Sequence, residues 1–243
     1  MLELRNVSKQ FGTHQVLDQI DFSIESNEIV GLIGESGSGK STIAELIIGL
    51  QQLTEGEVIW EEGCNCQYIY QNPERSFNPY LTMQESLLEP LLLSKTPKKE
   101  AMGRIHMLME QAGLPKELLS RKPQECSGGQ KQRAAIIRAL ACKPRLLIAD
   151  EITSALDPES ESIMIGLLRD FQRDMQLSIL YITHRITATE QFADRLLVLE
   201  KGRIVEDRLT KDVLYNPKHM YTKQLMEACA YFERRWKLVV KQA

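Results

Sequence analysis

The sequence predicts an α/β fold in which a mainly parallel sheet is interrupted by a long helical insert. Short apolar runs that are typical of buried strands alternate with segments of helical spacing. Between about Asn72 and Lys143 the strand signals stop, and prolines separate segments of helical spacing. Strand–helix alternation of this kind is typical of a parallel sheet whose crossover connections are helices.

The first 71 residues contain five predicted strands and one predicted helix. Alternating or continuous apolar residues indicate the strands, and Glu61–Gly63 predicts a hairpin turn between the last two. The predicted strands are Met1–Val7, Val16–Ile24, Glu28–Ile33, Glu55–Trp60 and Gln67–Tyr70, and the predicted helix is Ser41–Leu50.

The remaining residues continue with helices and then return to alternation. Helical spacing predicts Leu81–Leu93, Lys99–Ala112, Lys116–Ser120, Lys131–Ala141, Glu159–Met175 and His219–Lys237. Apolar runs predict buried strands at Leu146–Ala149, Ser178–Thr183 and Leu196–Glu200.

Composition limits the classes of protein to consider. The 243 residues are 43% hydrophobic and 26% charged, which is ordinary for a soluble globular protein. A net charge of −3 gives no basic surface, so we expect no nucleic-acid partner. No apolar run approaches the ~20 residues that span a bilayer. The N-terminus lacks the apolar segment of a signal peptide, so we expect a cytosolic chain.

A glycine-rich loop follows the third predicted strand and begins a helix. Successive N–H groups of such a loop turn inward around a polyphosphate, and the helix N-terminus adds partial positive charge. The lysine of this motif reaches the β- and γ-phosphates, and the next serine hydroxyl is placed to ligate Mg²⁺. The sequence therefore predicts that the chain binds ATP or GTP. The predicted phosphate-binding residues are Gly34, Glu35, Ser36, Gly37, Ser38, Gly39, Lys40, Ser41 and Thr42.

Two carboxylates, Asp150 and Glu151, end an apolar strand. Successive strand residues point to opposite faces, so we expect the two side chains to have different roles. In a nucleotide site one carboxylate would hold Mg²⁺ through its water shell, and the other would polarise the attacking water.

A serine followed by two glycines begins the predicted helix Lys131–Ala141. Ser127 is a good N-cap, and Gly128 and Gly129 leave the first N–H groups bare, as in an anion-binding helix end. On its own this pattern is more typical of an ordinary cap and turn.

Six motifs, which occur along the chain in the family's order, resemble those of ATP-binding-cassette (ABC) ATPases. One is the phosphate loop itself. Cys126–Arg133 is similar to the signature sequence, and Asp150–Asp157 resembles the Walker B motif and D-loop. Gln71 and His184 resemble the Q-loop glutamine and the switch histidine. Phe11 takes the place of the aromatic residue that stacks on adenine, a type of contact worth ~1–3 kcal/mol.

The resemblance implies a P-loop NTPase core with an antiparallel β subdomain and an α-helical insert. It also implies ATP hydrolysis by direct attack of water on the γ-phosphate. Lys40 and the loop amides would hold the phosphates, Glu151 would be the general base, and His184 would sense or stabilise the γ-phosphate. The implied Mg²⁺ ligands are Ser41, Gln71 and Asp150. The residues implied to complete a partner's nucleotide site are Ser127, Gly128, Gly129 and Gln130.

The same resemblance implies one ABC ATPase domain over residues 1–243. Its nucleotide-binding core would comprise 1–71 and 144–205, its helical subdomain 72–143 and its C-terminal extension 206–243. The implied partners are two membrane permease subunits, a second and different ATPase subunit in a head-to-tail heterodimer, and an extracytoplasmic solute-binding protein. The chain would then lie on the cytoplasmic face of the membrane, held there through the permeases.

Two segments resemble one branch of importers, those for peptides and for nickel. Gln71–Pro79 is similar to the Q-D-P-x-x-S-L-N-P run of that branch, and Asn216–Lys223 to its N-P-x-H-P-Y-T-K segment. The compact chain most resembles the small second ATPase subunit of nickel or cobalt importers, including those for metal held by an opine-type metallophore. We therefore expect a nickel, cobalt or metal-chelate substrate. The alternative is an oligopeptide or dipeptide importer.

A different class, soluble ABC ATPases of DNA repair or translation, fits less well because this chain has one cassette and no zinc spacing. A degenerate cassette fits poorly because the motif residues with catalytic roles are intact. The departures from the family pattern, Ile152, Cys126 and Arg185, remove no catalytic group. The short stretch between Lys40 and Gln71 indicates a lost hairpin in the antiparallel subdomain.

The cysteines give no clear sign of metal or redox chemistry. Cys64 and Cys66 form the one pair with suitable spacing, but no second pair completes a tetrahedral site, so we assign them to a hairpin. Longer peptide-importer subunits carry a C-terminal cysteine cluster, where this chain has only Cys229. An iron–sulfur cluster is therefore not expected.

Overall fold

The structure is a computed structural model that describes residues 1–228. It contains the strands β1 (Leu2–Phe11), β2 (His14–Ile24), β3 (Ile29–Ile33), β4 (Glu55–Trp60), β5 (Cys66–Ile69), β6 (Leu146–Asp150), β7 (Ser178–Thr183), β8 (Arg195–Glu200) and β9 (Arg203–Leu209). Its α-helices are α1 (Lys40–Ile47), α2 (Met83–Leu93), α3 (Lys98–Gln111), α4 (Gly128–Leu140), α5 (Pro158–Met175), α6 (Ile186–Glu190) and α7 (Thr210–Tyr215), and residues 220–228 are also helical.

The chain forms two compact units, each described here by itself. The first unit comprises Met1, Glu25–Glu28 and Trp60–Leu180, and the second comprises Leu2–Ile24, Ile29–Ile59 and, within the described residues, 181–228. The predicted subdomain boundaries at 71, 143 and 205 stay predictions. The predicted final helix, His219–Lys237, runs past the described residues, and Cys229 lies outside them.

Parallel strands form the centre of the first unit. The strands follow the order β5-β6-β7, and β5 runs parallel to β6 with Tyr68 opposite Ile148. Every residue of β6 is buried, as is every residue of β7. Parallel strands covered on both faces appear in a sequence as continuous apolar runs, and this explains why both strands were predictable.

The second unit carries a parallel strand pair and a separate small sheet. β3 is buried along its whole length and runs parallel to β8, which pairs antiparallel with β9. β1 and β2 are antiparallel, and with β4 they form a three-stranded sheet in the order β2-β1-β4. The mainly parallel α/β fold with an antiparallel subdomain is therefore confirmed.

Side-chain caps fix where three helices of the first unit, α2, α4 and α5, begin. Thr82 and Ser127 each form a capping box at the start of α2 and α4. Asp157 accepts from the backbone N–H groups of Glu159 and Ser160 at the start of α5. Each cap satisfies N–H groups that a helix leaves unpaired at its first turn, and such a cap is typically worth about 1 kcal/mol.

Two predictions about local structure need correction. The hairpin between β4 and β5 is wrong, because β4 joins the sheet of β1 and β2 whereas β5 pairs with β6. Glu61–Gly63 still turns the chain, with the Cys64 N–H donating to the Glu61 carbonyl. Lys116–Ser120 is a 3₁₀ helix rather than an α-helix. The sequence analysis also missed β9 and the short helices α6 and α7.

Gly202 lies in the tight turn between β8 and β9 and contacts two other segments of the second unit. Its N–H donates to the Ser38 carbonyl at 3.1 Å, and its carbonyl accepts from the Asp18 N–H at 2.9 Å. Its φ is +78°, and a Cβ there would lie 2.2 Å from the Val16 carbonyl oxygen. The turn can approach these segments closely because the residue has no side chain.

Gly202→Ala should therefore lower the free energy of unfolding by clearly more than Gly63→Ala, as measured by urea denaturation. Gly63 has a similar φ of +73°, but a Cβ at that position would have no neighbouring atom within 4 Å. Both variants bear the left-handed penalty of about 1–2 kcal/mol. Only Gly202→Ala adds the clash with the Val16 carbonyl. An equal loss of unfolding free energy in the two variants would therefore contradict the close approach of this turn to Val16.

Candidate phosphate-binding site

The predicted phosphate loop connects β3 to α1 in the second unit. Lys40, the first residue of α1, is buried, and its Nζ donates to the carbonyl oxygens of Gly34 and Glu35, both at 2.8 Å. Gly39 is the N-cap of α1 with φ +111°, and a Cβ there would lie 2.6 Å from Leu17 Cδ2. The loop thus places the lysine head group against the loop backbone, and glycine is required where the helix begins.

The start of α1 has the chemistry of an anion site. No side chain caps the helix, and its first turn contains no acidic residue. The Ser38 hydroxyl is buried, and within residues 1–228 it has no hydrogen-bond partner. The Ser41 side chain is exposed one residue after Lys40. Uncapped N–H groups, a helix dipole and a lysine suit a polyphosphate, so the residues present fit such a ligand.

Two further predicted residues of the nucleotide site lie in the second unit. Phe11 ends β1 with 44% of its surface exposed, and Lys9 Nζ lies over its ring, 4.6 Å from the centroid. His184 follows β7 directly and is exposed. The next residue, Arg185, donates its N–H to Thr183 Oγ1 at 3.0 Å. The adenine-stacking and γ-phosphate roles of Phe11 and His184 stay predictions.

The two carboxylates at the end of β6 have different surroundings in the first unit. Asp150 is buried, and the Tyr68 hydroxyl donates to its Oδ2 at 2.6 Å. Glu151 has φ +49°, and its Oε2 accepts from Gln71 Nε2 at 3.1 Å. Non-glycine residues in this backbone region are strained, and such strain concentrates at functional sites. The two carboxylates therefore have different hydrogen-bond partners, and their separate roles stay predictions.

Gln71 joins the end of β5 to the turn after β6. Besides Glu151, its Nε2 lies 3.4 Å from Ser154 Oγ, which itself donates to the Glu151 carbonyl at 2.9 Å. In the same turn the buried Thr153 hydroxyl donates to Glu161 Oε1 at 2.8 Å. The structure therefore brings two of the predicted site residues, Gln71 and Glu151, into direct contact.

The serine–glycine segment begins α4 as predicted, three residues earlier than the helical spacing indicated. The Gln130 N–H donates to Ser127 Oγ at 3.3 Å, and the Ser127 N–H donates to Gln130 Oε1 at 3.0 Å. Gly128 and Gly129 have open space where a side chain would be, with no atom within 4 Å of a Cβ added to either. This end of the helix faces a cavity of about 580 Å³, whose lining includes Gln71, Glu74, Gly129, Gln132 and Asp157.

Several contacts at these sites were missed by the sequence analysis. Lys131 Nζ donates to Glu74 Oε1 at 2.6 Å, and this hydrogen bond lowers the pKa of the Glu74 carboxyl. Tyr68 was predicted only as part of a strand, and Tyr221 only as part of the segment Asn216–Lys223 that resembles the importer branch. The Tyr221 hydroxyl accepts the Glu35 N–H of the phosphate loop at 3.0 Å. Pattern alone gives no signal for such pairs, because their partners are 57 to 186 residues away in sequence.

The cysteine pair at the start of β5 shows no activated thiol. Cys64 and Cys66 are free, and burial raises the pKa of both thiols. A raised pKa favours the thiol over the thiolate, the form that reacts and binds metals. The Ile152 and Cys126 side chains, two of the departures from the family pattern, are both buried.

Comparison with known proteins identifies the family. The sequence profile of the ABC transporter family matches residues 17–154. The oligopeptide transport ATP-binding protein OppF of Bacillus subtilis (strain 168) is 37% identical, over 94% of this chain and 82% of its own length. A putative peptide import ATP-binding protein of Brucella ovis is 36% identical, over 94% of this chain and 78% of its own length. The chain belongs to the ABC transporter family.

Solved structures agree with this assignment. The dimeric ATP-binding cassette MJ0796, bound to ADP and Pi in a post-hydrolysis state, is 28% identical with a TM-score of 0.73, covering 86% of this chain and 99% of its own. The cbiO1 protein of Clostridium perfringens has a TM-score of 0.80 over 88% of this chain and 90% of its own. At 23% identity it supports the fold alone. The chain is therefore an ATP-binding subunit of the ABC class that hydrolyses ATP.

Proposed function

We propose that this chain is the ATP-hydrolysing subunit of a multi-subunit importer of peptides. The observation that carries the proposal is 37% identity to an oligopeptide transport ATP-binding protein across 94% of the chain. The expected nickel, cobalt or metallophore substrate has less support, because the curated relatives described above are named for peptides. The compact length of the chain is also weak support for a metal substrate. The chain covers 82% of the length of the Bacillus subtilis oligopeptide relative, so its length differs little from that of a peptide transport subunit.

In this proposal the phosphate loop holds the β- and γ-phosphates of ATP. Lys40 donates to two loop carbonyls in the structure, and it would exchange these partners for phosphate oxygens. Its burial supports the role, because a buried ammonium interacts strongly with an opposite charge. The exposed ring of Phe11 would stack on the adenine.

The proposed general base is Glu151, which would accept the proton of the attacking water. Gln71 supports this role by donating to one carboxylate oxygen, Oε2, and thereby orienting the side chain. Asp150 would have the separate role of holding Mg²⁺. The Tyr68 hydroxyl bonded to its Oδ2 would fix that carboxylate in place. His184 would contact the γ-phosphate.

The proposed Mg²⁺ ligands are the Ser41 hydroxyl, the Gln71 amide and the Asp150 carboxylate. Oxygen donors of these types are those that Mg²⁺ prefers in nucleotide sites, so the residues present fit the ion. When bound, the ion would neutralise charge on the β- and γ-phosphate oxygens.

The serine–glycine start of α4 is proposed to act on ATP held by a second ATPase subunit. Ser127 caps the helix, and the glycines leave its first turn open to a cavity. An anion at this helix end would meet the favourable end of the helix dipole. Because α1 offers an equivalent end, a head-to-tail pair of subunits would place one ATP between two such helices. We propose that the partner is a different chain.

An exposed apolar surface on α2 supports contact with the permease subunits. Tyr80, just before the helix, is 83% exposed, and Leu93 at its end is 78% exposed. Between them lies a groove of about 490 Å³ lined by residues that include Leu88 and Leu92. Exposed apolar patches rimmed by polar residues mark interaction sites. No helix within residues 1–228 combines the length and apolar character needed to cross a bilayer.

The remaining proposed partners complete an importer. They are two membrane permeases, which would hold the chain on the cytoplasmic face of the membrane, and an extracytoplasmic solute-binding protein. The solute would be selected by those subunits rather than by this chain.

Glu151→Gln should retain ATP binding and lose most turnover in the reconstituted importer. The amide preserves size and can still accept from Gln71, but it cannot take a proton, and general-base contributions are ~10²–10⁴-fold. Glu62→Gln, in the exposed turn after β4, is the matched control and should keep wild-type turnover. Wild-type hydrolysis by Glu151→Gln would rule out the proposed base.

Deleting the gene for this chain should abolish uptake of a radiolabelled oligopeptide and leave cellular nickel and cobalt unchanged under metal limitation. Complementation with the wild-type chain should restore peptide uptake, and complementation with Lys40→Ala should not. If metal content falls while peptide uptake persists, the substrate is a metal or metal chelate and the peptide proposal is wrong.

A further inference from the structure

The C-terminal segment that follows α7 makes a direct hydrogen bond to the phosphate loop. Tyr221 is 9% exposed, and its hydroxyl accepts the N–H of Glu35 at 3.0 Å. The two residues are 186 positions apart in sequence and lie in the same compact unit. Burial raises the pKa of the Tyr221 phenol, which therefore remains neutral at physiological pH.

Glu35 is thus held through both polar groups of its backbone. Its N–H is bound by Tyr221, and its carbonyl oxygen accepts from Lys40 Nζ at 2.8 Å. Its side chain, by contrast, is exposed. Residues 36–39 follow directly and carry the loop N–H groups that would face a phosphate, and one of these, the Ser38 N–H, donates to the Glu35 carbonyl at 3.2 Å in the structure. The orientation of the Glu35 backbone therefore sets where those N–H groups begin.

The segment that carries Tyr221 is itself anchored. The buried Glu206 side chain on β9 accepts the N–H groups of Lys218 at 2.7 Å and His219 at 2.6 Å, just before the helical residues 220–228. Arg208, also on β9, donates to the carbonyls of Asp212 and Asn216 at 2.7 and 2.9 Å. β9 thereby fixes the start of the last helix, and Tyr221 lies in the first turn of that helix.

A cavity of about 290 Å³ borders both the loop and this segment, and its lining includes Ser36, Gly37, Tyr221 and Gln224. The loop is therefore not closely packed where it borders this cavity. The Tyr221 hydroxyl contacts it there, in addition to the contacts of Lys40 and Gly202 with the loop carbonyls.

We propose that Tyr221 is a positioning residue for ATP binding. It holds the Glu35 backbone so that the following N–H groups are preorganised for the phosphates, and it makes ATP affinity depend on the anchored C-terminal segment. This inference rests on the proposed phosphate-binding role of the loop. The Tyr221 hydroxyl acts through the loop and does not contact the nucleotide.

The test compares Tyr221→Phe with Tyr215→Phe in the full chain. Phenylalanine keeps the ring and its packing and removes only the hydroxyl. Tyr215 is the matched control, because its hydroxyl also makes a hydrogen bond, to the Glu190 carboxylate, but its side chain is 72% exposed. ATP dissociation constants are measured by calorimetric titration, and melting temperatures are measured without nucleotide. KM and kcat for ATP are then measured in the reconstituted importer.

Tyr221→Phe should weaken ATP binding about 3- to 10-fold, the range that the loss of one net hydrogen bond produces. KM should rise by a similar factor while kcat at saturating ATP stays unchanged. Tyr215→Phe should match the wild-type chain in both the ATP dissociation constant and KM. The melting temperatures of the two variants, measured without ATP, should agree.

Lys40→Ala separates failure of this inference from failure of the proposed function. If Lys40→Ala abolishes ATP binding while Tyr221→Phe binds like the wild-type chain, the loop binds phosphate and the positioning role is wrong. If Tyr215→Phe weakens binding equally, or if only kcat falls, the positioning role is also wrong. If neither Lys40→Ala nor Tyr221→Phe changes ATP affinity, the loop does not bind phosphate and both proposals fail.

Discussion

The start of α1 must keep backbone N–H groups available to a polyphosphate, and the second unit is organised around this constraint. Those groups cannot be satisfied by a side-chain cap, so the loop needs support from other contacts. Lys40 contacts the loop carbonyls, Gly202 donates to Ser38, and Tyr221 binds Glu35. Each contact uses a loop group outside the first turn of the helix. These three contacts therefore leave the N–H groups of that first turn unused, while within the loop the Ser38 N–H donates to the Glu35 carbonyl at 3.2 Å.

The first unit positions its polar groups in a different way from the second unit. Its two carboxylates lie at the end of a fully buried strand, Asp150 as the last residue and Glu151 directly after it, so the sheet fixes their position, and neighbouring side chains then distinguish them. A phenol binds Asp150, and an amide binds Glu151. The ion pair of Lys131 and Glu74 links the segment after Gln71 to the helix that Ser127 begins.

Local chemistry explains which features could be predicted from the sequence. The phosphate loop and the buried strands were predictable because glycine spacing and apolar runs are patterns within a few consecutive residues. The hairpin before β5 was wrong because pairing of β5 with β6 depends on a strand about 80 residues away. Tyr68 and Tyr221 were missed for the same reason. The expected metal substrate had weak support because ATP hydrolysis constrains the motifs of this chain, whereas the solute would contact only other subunits.

We propose that ATP is hydrolysed between two subunits, with this chain supplying a phosphate loop to one ATP and the start of α4 to another. The most direct measurement is turnover by a reconstituted importer in which the partner's phosphate loop is the only competent one and this chain carries Gly129→Asp. The new carboxylate would repel the γ-phosphate in an interface from which water is excluded. We expect this turnover to be lost, while the isolated Gly129→Asp subunit should bind ATP like the wild-type chain. Normal turnover in that complex, or lost ATP binding by the isolated subunit, would contradict the claim.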